Sequence, residues 1–398
     1  MPPRMDAPPQ LPRGPRRVTF AAALALAMGS GTYAGYAFGA LGPSLVNEFD
    51  ISRFQLGLLT AVFFVVGGPL SLAAGRATDR YGARRVMLVS FSVAATAIAG
   101  MALSPAYALL VAFAALAGIA LATGNPVTNK LVAVNVPRGE RGLIMGSKQA
   151  GVQVAAFLTG ALLVPAAVAV GWRAAFGWSA LVPLVGVAIA LVAVPADRPL
   201  HETRESDRSA PLPHGVRWLA AYAFLMGSGV ATVNAYLPLY LVEEGHASQA
   251  MAGVVVATIG FVGIGSRIAW GWASERMRTY ATPLTILGGG ALLAILMVLA
   301  VPWAGMWLAI PAAVVFGASA VTWNAVGMLA VITSAGTAQA GRATGVVTFG
   351  FYVGFVASPL LFGLAVDQLG SYVPAWIGVA GCFAATWLVI RAWSSRSG

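Results

Sequence analysis

Apolar residues along this chain come in long unbroken runs, and polar residues fill the short gaps between them. Runs of roughly twenty, the length that crosses about 30 Å of hydrocarbon, fall at residues 18–40, 54–74, 86–103, 106–128, 143–165 and 174–195. After a polar interval they resume at 218–240, 250–272, 283–301, 306–330, 343–366 and 375–393. The pattern predicts an all-α integral membrane protein with twelve transmembrane helices. Its expected divisions are a tail over 1–17, a six-helix bundle over 18–195, a linker over 196–217, a second six-helix bundle over 218–393 and a tail over 394–398. Arg13, Arg16 and Arg17 ahead of the first run imitate a secretory signal peptide, but that run is long enough to span and more spans follow, so it reads as a retained first helix.

Composition agrees: 59% of the 398 residues are hydrophobic, only 9% are charged and the mean hydropathy is +0.80. A soluble chain carries about 25% charged residues, so the bilayer itself must cover most of this surface. The net charge of +11 does not point to a nucleic-acid partner, because the arginines lie in the gaps between spans. Counted on alternate sides of the membrane, one side holds 20 Lys and Arg and the other holds Arg53 and Arg173. That asymmetry places both termini in the cytoplasm. Arginine-rich, lysine-poor, alanine-rich usage suggests a GC-rich bacterium, hence its cytoplasmic (inner) membrane. The single Cys382 excludes an intramolecular disulfide and gives no thiol metal site.

The gap after the second run reads Gly75-Arg76-Ala77-Thr78-Asp79-Arg80-Tyr81-Gly82-Ala83-Arg84-Arg85. Gly75 is expected to end a helix and allow close approach, Gly82 to make a tight turn, and Asp79 to accept from a helix N-terminus or an arginine. An echo, Gly271-Trp272-Ala273-Ser274-Glu275-Arg276, follows the eighth run at about half a chain length, as an internal duplication requires. These residues resemble the G-x-x-x-D-R-x-G-R-[KR] signature of the major facilitator superfamily. The resemblance implies two pseudo-symmetric six-helix bundles working by alternating access, with Asp79, Arg80, Arg84 and Arg85 in a conformational latch. The echo departs from the pattern in carrying Glu275 for aspartate and no glycine at the next expected position, which implies a weaker second latch at Glu275 and Arg276. Asn125-Pro126-Val127-Thr128-Asn129-Lys130, Arg141-Gly142-Leu143-Ile144-Met145-Gly146-Ser147-Lys148-Gln149-Ala150-Gly151 and Gly171-Trp172-Arg173 are similar to the cyanate and nitroimidazole permease-like branch of that superfamily.

Two cations remain inside the apolar runs, Lys148 in the fifth and Arg267 in the eighth. Each costs roughly 2.5–3.5 kcal/mol near a helix centre, and snorkelling to the headgroups is the bland explanation. No acidic residue in the predicted spans can pair with them, so an anionic substrate is the economical partner. Arg267 also resembles, in position, an arginine of superfamily carriers of oxalate and monocarboxylates. Gln149 and Gln153 lie one turn apart, as do Tyr33 and Tyr36; with Asn234, Asn324 and Tyr352 they extend the candidate site, although such residues equally bond helix to helix.

His201, His214 and His246 fall in gaps without metal-site spacing, and no glycine-rich phosphate loop is present. An enzyme, a cofactor and ATP-driven transport are therefore not expected. The acids lie outside the runs, so no carboxylate relay for protons is expected inside the membrane. The expected function is secondary transport of a small organic or inorganic anion, with protons or a counter-anion as co-partner and a monomer as the unit. The alternatives are a proton-coupled exporter of cationic drugs, whose associated arginine in the fourth span is absent, and a transporter-like ligand sensor.

Overall fold

The computed structural model describes residues 15–137, 141–197, 212–277 and 279–394. Twelve helices among them are long and apolar enough to cross a membrane. Spans 1 to 6 are Arg17–Ala40, Arg53–Tyr81, Ala83–Ala102, Tyr107–Asn135, Ile144–Val170 and Trp172–Ala193. Spans 7 to 12 are His214–Glu243, Gln249–Ser274, Ala281–Ala304, Met306–Ala335, Arg342–Leu369 and Tyr372–Ser394. Each coincides with one expected run. Most of the expected linker, residues 198–211, lies outside the described residues.

The helices outrun the apolar segments because backbone hydrogen bonding continues after hydropathy stops. Span 2 carries the signature segment as helix through Gly75 to Tyr81, so Gly75 does not end the helix; Gly82 does, at φ 97°. Span 4 likewise continues through Lys130 to Asn135. Helical backbone also runs on from Trp323 to Leu369, yet the Trp323 and Phe351 rings lie 5.3 Å apart. A straight helix would separate those residues by about 42 Å at 1.5 Å per residue. The chain therefore reverses between spans 10 and 11, and the two run antiparallel.

Three spans are irregular inside the membrane: span 6 has a one-residue turn at Ala180 between the helices Trp172–Ser179 and Leu181–Ala193, and spans 5 and 10 depart further. Span 5 contains a wide π-turn at Thr159–Leu163, and span 10 breaks over residues 319–322 between the helices Ala309–Ala318 and Trp323–Leu369.

The bundles meet tightly on the face opposite the arginine-rich loops. A Cβ on Gly39 of span 1 would overlap the Asn234 carbonyl of span 7, and one on Gly57 of span 2 would collide with Tyr236 and the Pro359 carbonyl. Polar groups fasten this seam. The N-terminus of span 2, already capped reciprocally by Ser52 and Gln55, donates from Arg53 N and Phe54 N to the Asp367 carboxylate of span 11 at 3.0 and 2.8 Å. Arg53 Nη2 meets Glu243 Oε1 at 2.7 Å, and Tyr372 donates to Glu243 Oε2 at 2.6 Å. The Tyr236 hydroxyl lies 2.7 Å from the Arg53 carbonyl and 2.8 Å from that of Pro359. Asp367 is exposed and Arg53 half-buried, so water screens the clasp and a single contact there contributes about 1 kcal/mol. Asp367→Asn is accordingly expected to open this face several-fold more often, read as longer spin-label distances between the outer ends of spans 2 and 11.

The arginine-rich face is looser. Among the described residues, nothing would meet a Cβ on Gly75, Gly146, Gly271 or Gly345 within 4 Å. Asp79 pairs with Lys130 of span 4 at 3.0 Å, inside its own bundle, with its side chain 78% exposed. The carboxylate that caps the N-terminus of span 3 is Asp197, which accepts from Arg84 N and Arg85 N at 2.9 and 3.1 Å, while the Arg84 guanidinium donates to the Leu191 carbonyl at 2.5 Å. In the echo, Arg276 folds over the Trp272 ring at 3.7 Å; the Glu275 side chain lies outside the described residues.

Candidate substrate site between the bundles

Spans 5 and 8 run antiparallel, and close approaches set their register. Gly253 faces Val164, Gly260 faces Phe157, and a Cβ on Gly263 would lie 2.9 Å from Gln153 Oε1. Each step along one helix is matched by a step back along the other. Continued one turn towards the arginine-rich face, the register sets Gln149 and Ala150 across from Arg267. The tight seam ends beyond Gln153 and Gly263, since among the described residues nothing lies within 4 Å of a Cβ on Gly146, two turns further along the same face of span 5. Arg267 therefore sits at the level where the bundles part.

Arg267 is held by the broken span. Its Nη2 donates to the Val321 carbonyl at 3.2 Å, and Trp270 Nε1, one turn away, donates to the Ala318 carbonyl at 2.9 Å. Both acceptors belong to the break in span 10 or its edge, where carbonyls have lost helical partners. Among the described residues, Arg267 Nε and both amide atoms of the fully buried Gln153 lack a partner at full hydrogen-bond geometry, with the Tyr36 hydroxyl placed to reach Gln153. The Tyr36 hydroxyl neighbours both residues. Orphaned buried polar atoms are rare in folded proteins, and here three of them gather in one place. Among the described residues, the acids in the spans are Asp79, Glu243 and Asp367, each at a span's end. This interior offers cationic and neutral donors and no carboxylate.

Lys148 is fully buried, yet its amine is satisfied by neutral groups of span 4: Asn125 Oδ1 at 3.3 Å, Thr128 Oγ1 at 3.0 Å and Asn129 Oδ1 at 2.5 Å. Neutral side chains of span 4, in place of the expected anionic substrate, thus satisfy the hydrogen bonds of this lysine. Two neutral amides and a hydroxyl supply its hydrogen bonds, leaving its charge uncompensated.

The other expected residues divide. Tyr352 joins an aromatic band across the bundles, with Phe64 of span 2 at 5.7 Å from it and 4.3 Å from Phe355. Asn324 is half-buried just past the break in span 10. Asn234 sits in the closed seam, its carbonyl against Gly39. Tyr33 turns away from Arg267, its hydroxyl 2.7 Å from Ser179 Oγ and its ring stacked near Phe176. It lines a separate apolar cavity of about 500 Å³ between spans 1, 5 and 6, with Gly151, Leu158 and Trp178. Trp270, Asn125 and Asn129 escaped the sequence reading as site residues, since their partners lie on other spans.

The profile of the Major Facilitator Superfamily matches residues 19–359. The chain is 28% identical over 351 residues to a probable nitrate/nitrite transporter, NarK2, of Mycobacterium tuberculosis, covering 83% of this chain and 85% of that one. It is 28% identical over 286 residues to the gentisate transporter of Corynebacterium glutamicum, covering 67% of this chain and 63% of that one. Among solved structures, a bacterial homolog of the human lysosomal transporter Spinster, in an inward-facing and occupied conformation, superposes with a TM-score of 0.76 at 16% identity, covering 96% of this chain and 98% of that one.

Proposed function

Because the chain belongs to the Major Facilitator Superfamily of membrane transporters, we propose that it is a secondary transporter of a small organic or inorganic anion, working by alternating access. The observation that carries this reading is the meeting of Arg267, Gln153 and Tyr36, with unsatisfied donors, where the bundles part in an interior without carboxylates. A cationic substrate would find no counter-charge there. Relatives named for nitrate, nitrite and gentisate, all anions, support the same class. Gln149 lies within reach by register, and Lys148 adds positive field from behind span 4.

The count of 20 basic residues against 2 supports cytoplasmic termini, in a bacterial inner membrane. The open side is then the cytoplasmic one, and the disengaged Asp79 and Gly75 belong to a latch that closes in the opposite state. In a Cys382→Ser background, Thr279→Cys is expected to resist an impermeant thiol reagent in intact cells; labelling there would reverse the orientation.

Moving one negative charge inward against an inside-negative potential costs about 2.3 kcal/mol per 100 mV. Without an intramembrane acid to relay protons, transport runs as anion exchange, as export, or as uptake with the proton carried on the substrate. Counterflow in proteoliposomes tests the reading: labelled nitrite or gentisate should accumulate transiently when the same anion is preloaded. Counterflow with cationic drugs, and with neither these anions nor other mono- and dicarboxylates, would overturn it.

A further inference from the structure

An ammonium group donates three hydrogen bonds and accepts none. The three oxygens around Lys148 Nζ use all of its donors, so Asn125 and Asn129 must both turn their oxygens towards it. A carboxamide is planar, with its oxygen and nitrogen on opposite arms. Both Nδ2 groups therefore point away from the lysine. Thr128 differs: it is fully buried and its hydroxyl donates to the Gly124 carbonyl at 2.6 Å, leaving nothing for a ligand.

Asn125 and Asn129 are one turn apart on one face of span 4, and both are exposed while Lys148 is not. Two exposed carboxamides within a span cannot be left against lipid, where unsatisfied polar groups cost several kcal/mol. This face must border the aqueous opening. Neighbouring positions on such a face stand about 5–6 Å apart, a spacing that suits two oxygens of one planar anion.

We propose that Asn125 and Asn129 form an anion-binding station in the N-terminal bundle, which takes nitrate, nitrite or a carboxylate through its outward amide N–H groups. Lys148 is its positioning residue: it orients both amides and supplies the charge, without touching the anion. The station rests on the anion reading above and adds a contribution from the first bundle to that of Arg267 in the second.

The test uses the full-length protein in nanodiscs and proteoliposomes, with nitrate, nitrite and gentisate as probes. Asn125→Asp and Asn129→Asp keep an oxygen for Lys148 but delete the outward donors; each is expected to weaken anion binding and raise KM at least tenfold, with the thermal melting point held. Asn125→Ala and Asn129→Ala remove the donors without adding charge and should weaken binding at least fivefold, while Asn129→Gln, which restores an amide, should recover part of the loss. Loss in the aspartate variants with wild-type binding in the alanine variants would mean simple repulsion and would overturn the donor role. Wild-type affinity in all four, while Arg267→Gln binds weakly, would overturn the station and leave the anion reading standing. If Arg267→Gln is also unchanged, the assignment of Arg267 falls with the station; failure of the wild-type protein to bind any of these anions is what would overturn the anion reading.

Discussion

Replacing Arg267 by glutamine should lower anion transport by a factor of 100 or more, measured as initial counterflow in proteoliposomes at equal protein. Removing one member of a buried, hydrogen-bonded charge pair costs about 2–5 kcal/mol, and each 1.4 kcal/mol is a factor of ten. Among the described residues the site holds no second cation free to compensate, since the Lys148 amine is enclosed by its own span-4 partners. Arg267→Lys keeps the charge but loses the planar fork, so it cannot bind a carboxylate with two nitrogens and also reach the Val321 carbonyl. It should recover only a small part of the loss. Trp270→Phe separates the two roles of this turn: it removes one of the two donors to the Ala318 carbonyl, leaving the Thr322 hydroxyl at 3.0 Å, without touching the guanidinium. It should lower the melting temperature and leave the choice among anions unchanged.

The second large effect is conformational. Gly39→Ala places a methyl group on the Asn234 carbonyl, which is backbone and cannot turn aside. Spans 1 and 7 must then separate on the closed face. Over-packing of this kind costs roughly 1–3 kcal/mol, equivalent to a 5- to 150-fold change in a two-state ratio. The population should move towards the state open on that face, seen as faster alkylation of cysteines introduced in the seam, and net transport should fall at least tenfold. Gly146→Ala has open space around it and should leave both measurements unchanged.

The fold was legible because the bilayer fixes the length of each apolar run; all twelve spans fall where hydropathy sets them. The two buried cations were equally visible, since Lys148 and Arg267 interrupt otherwise apolar segments. Their surroundings were hidden. The acceptors for Lys148 lie 19 to 23 positions earlier, on another helix, and no local pattern announces a contact of that kind. The clasp of Arg53 with Glu243 and Asp367 joins residues 190 and more than 300 positions apart. Arg53 carried a faint signal as one of two basic residues on its side of the membrane. Tyr33 and Tyr36 share a spacing but not a direction: Tyr33 turns to Ser179 on span 6, and Tyr36 lies near Arg267. Helical spacing gives the phase within one span, and packing decides which neighbour that phase meets.

The break in span 10 also bears on how the protein is assembled. A strand of backbone with freed carbonyls is costly in hydrocarbon, and Ser319-Ala320-Val321-Thr322 contains no proline to force it. Its external donors, Trp270 and Arg267, belong to span 8, which the ribosome delivers two spans earlier. Chains emerge from the N-terminal end at about 5–20 residues per second, so the roughly fifty residues between donor and acceptor correspond to several seconds of synthesis. By the time the interrupted helix leaves the insertion machinery, the groups that make it tolerable are already in the membrane waiting for it. A rearranged gene that placed span 10 ahead of span 8 would present the same break to bare lipid.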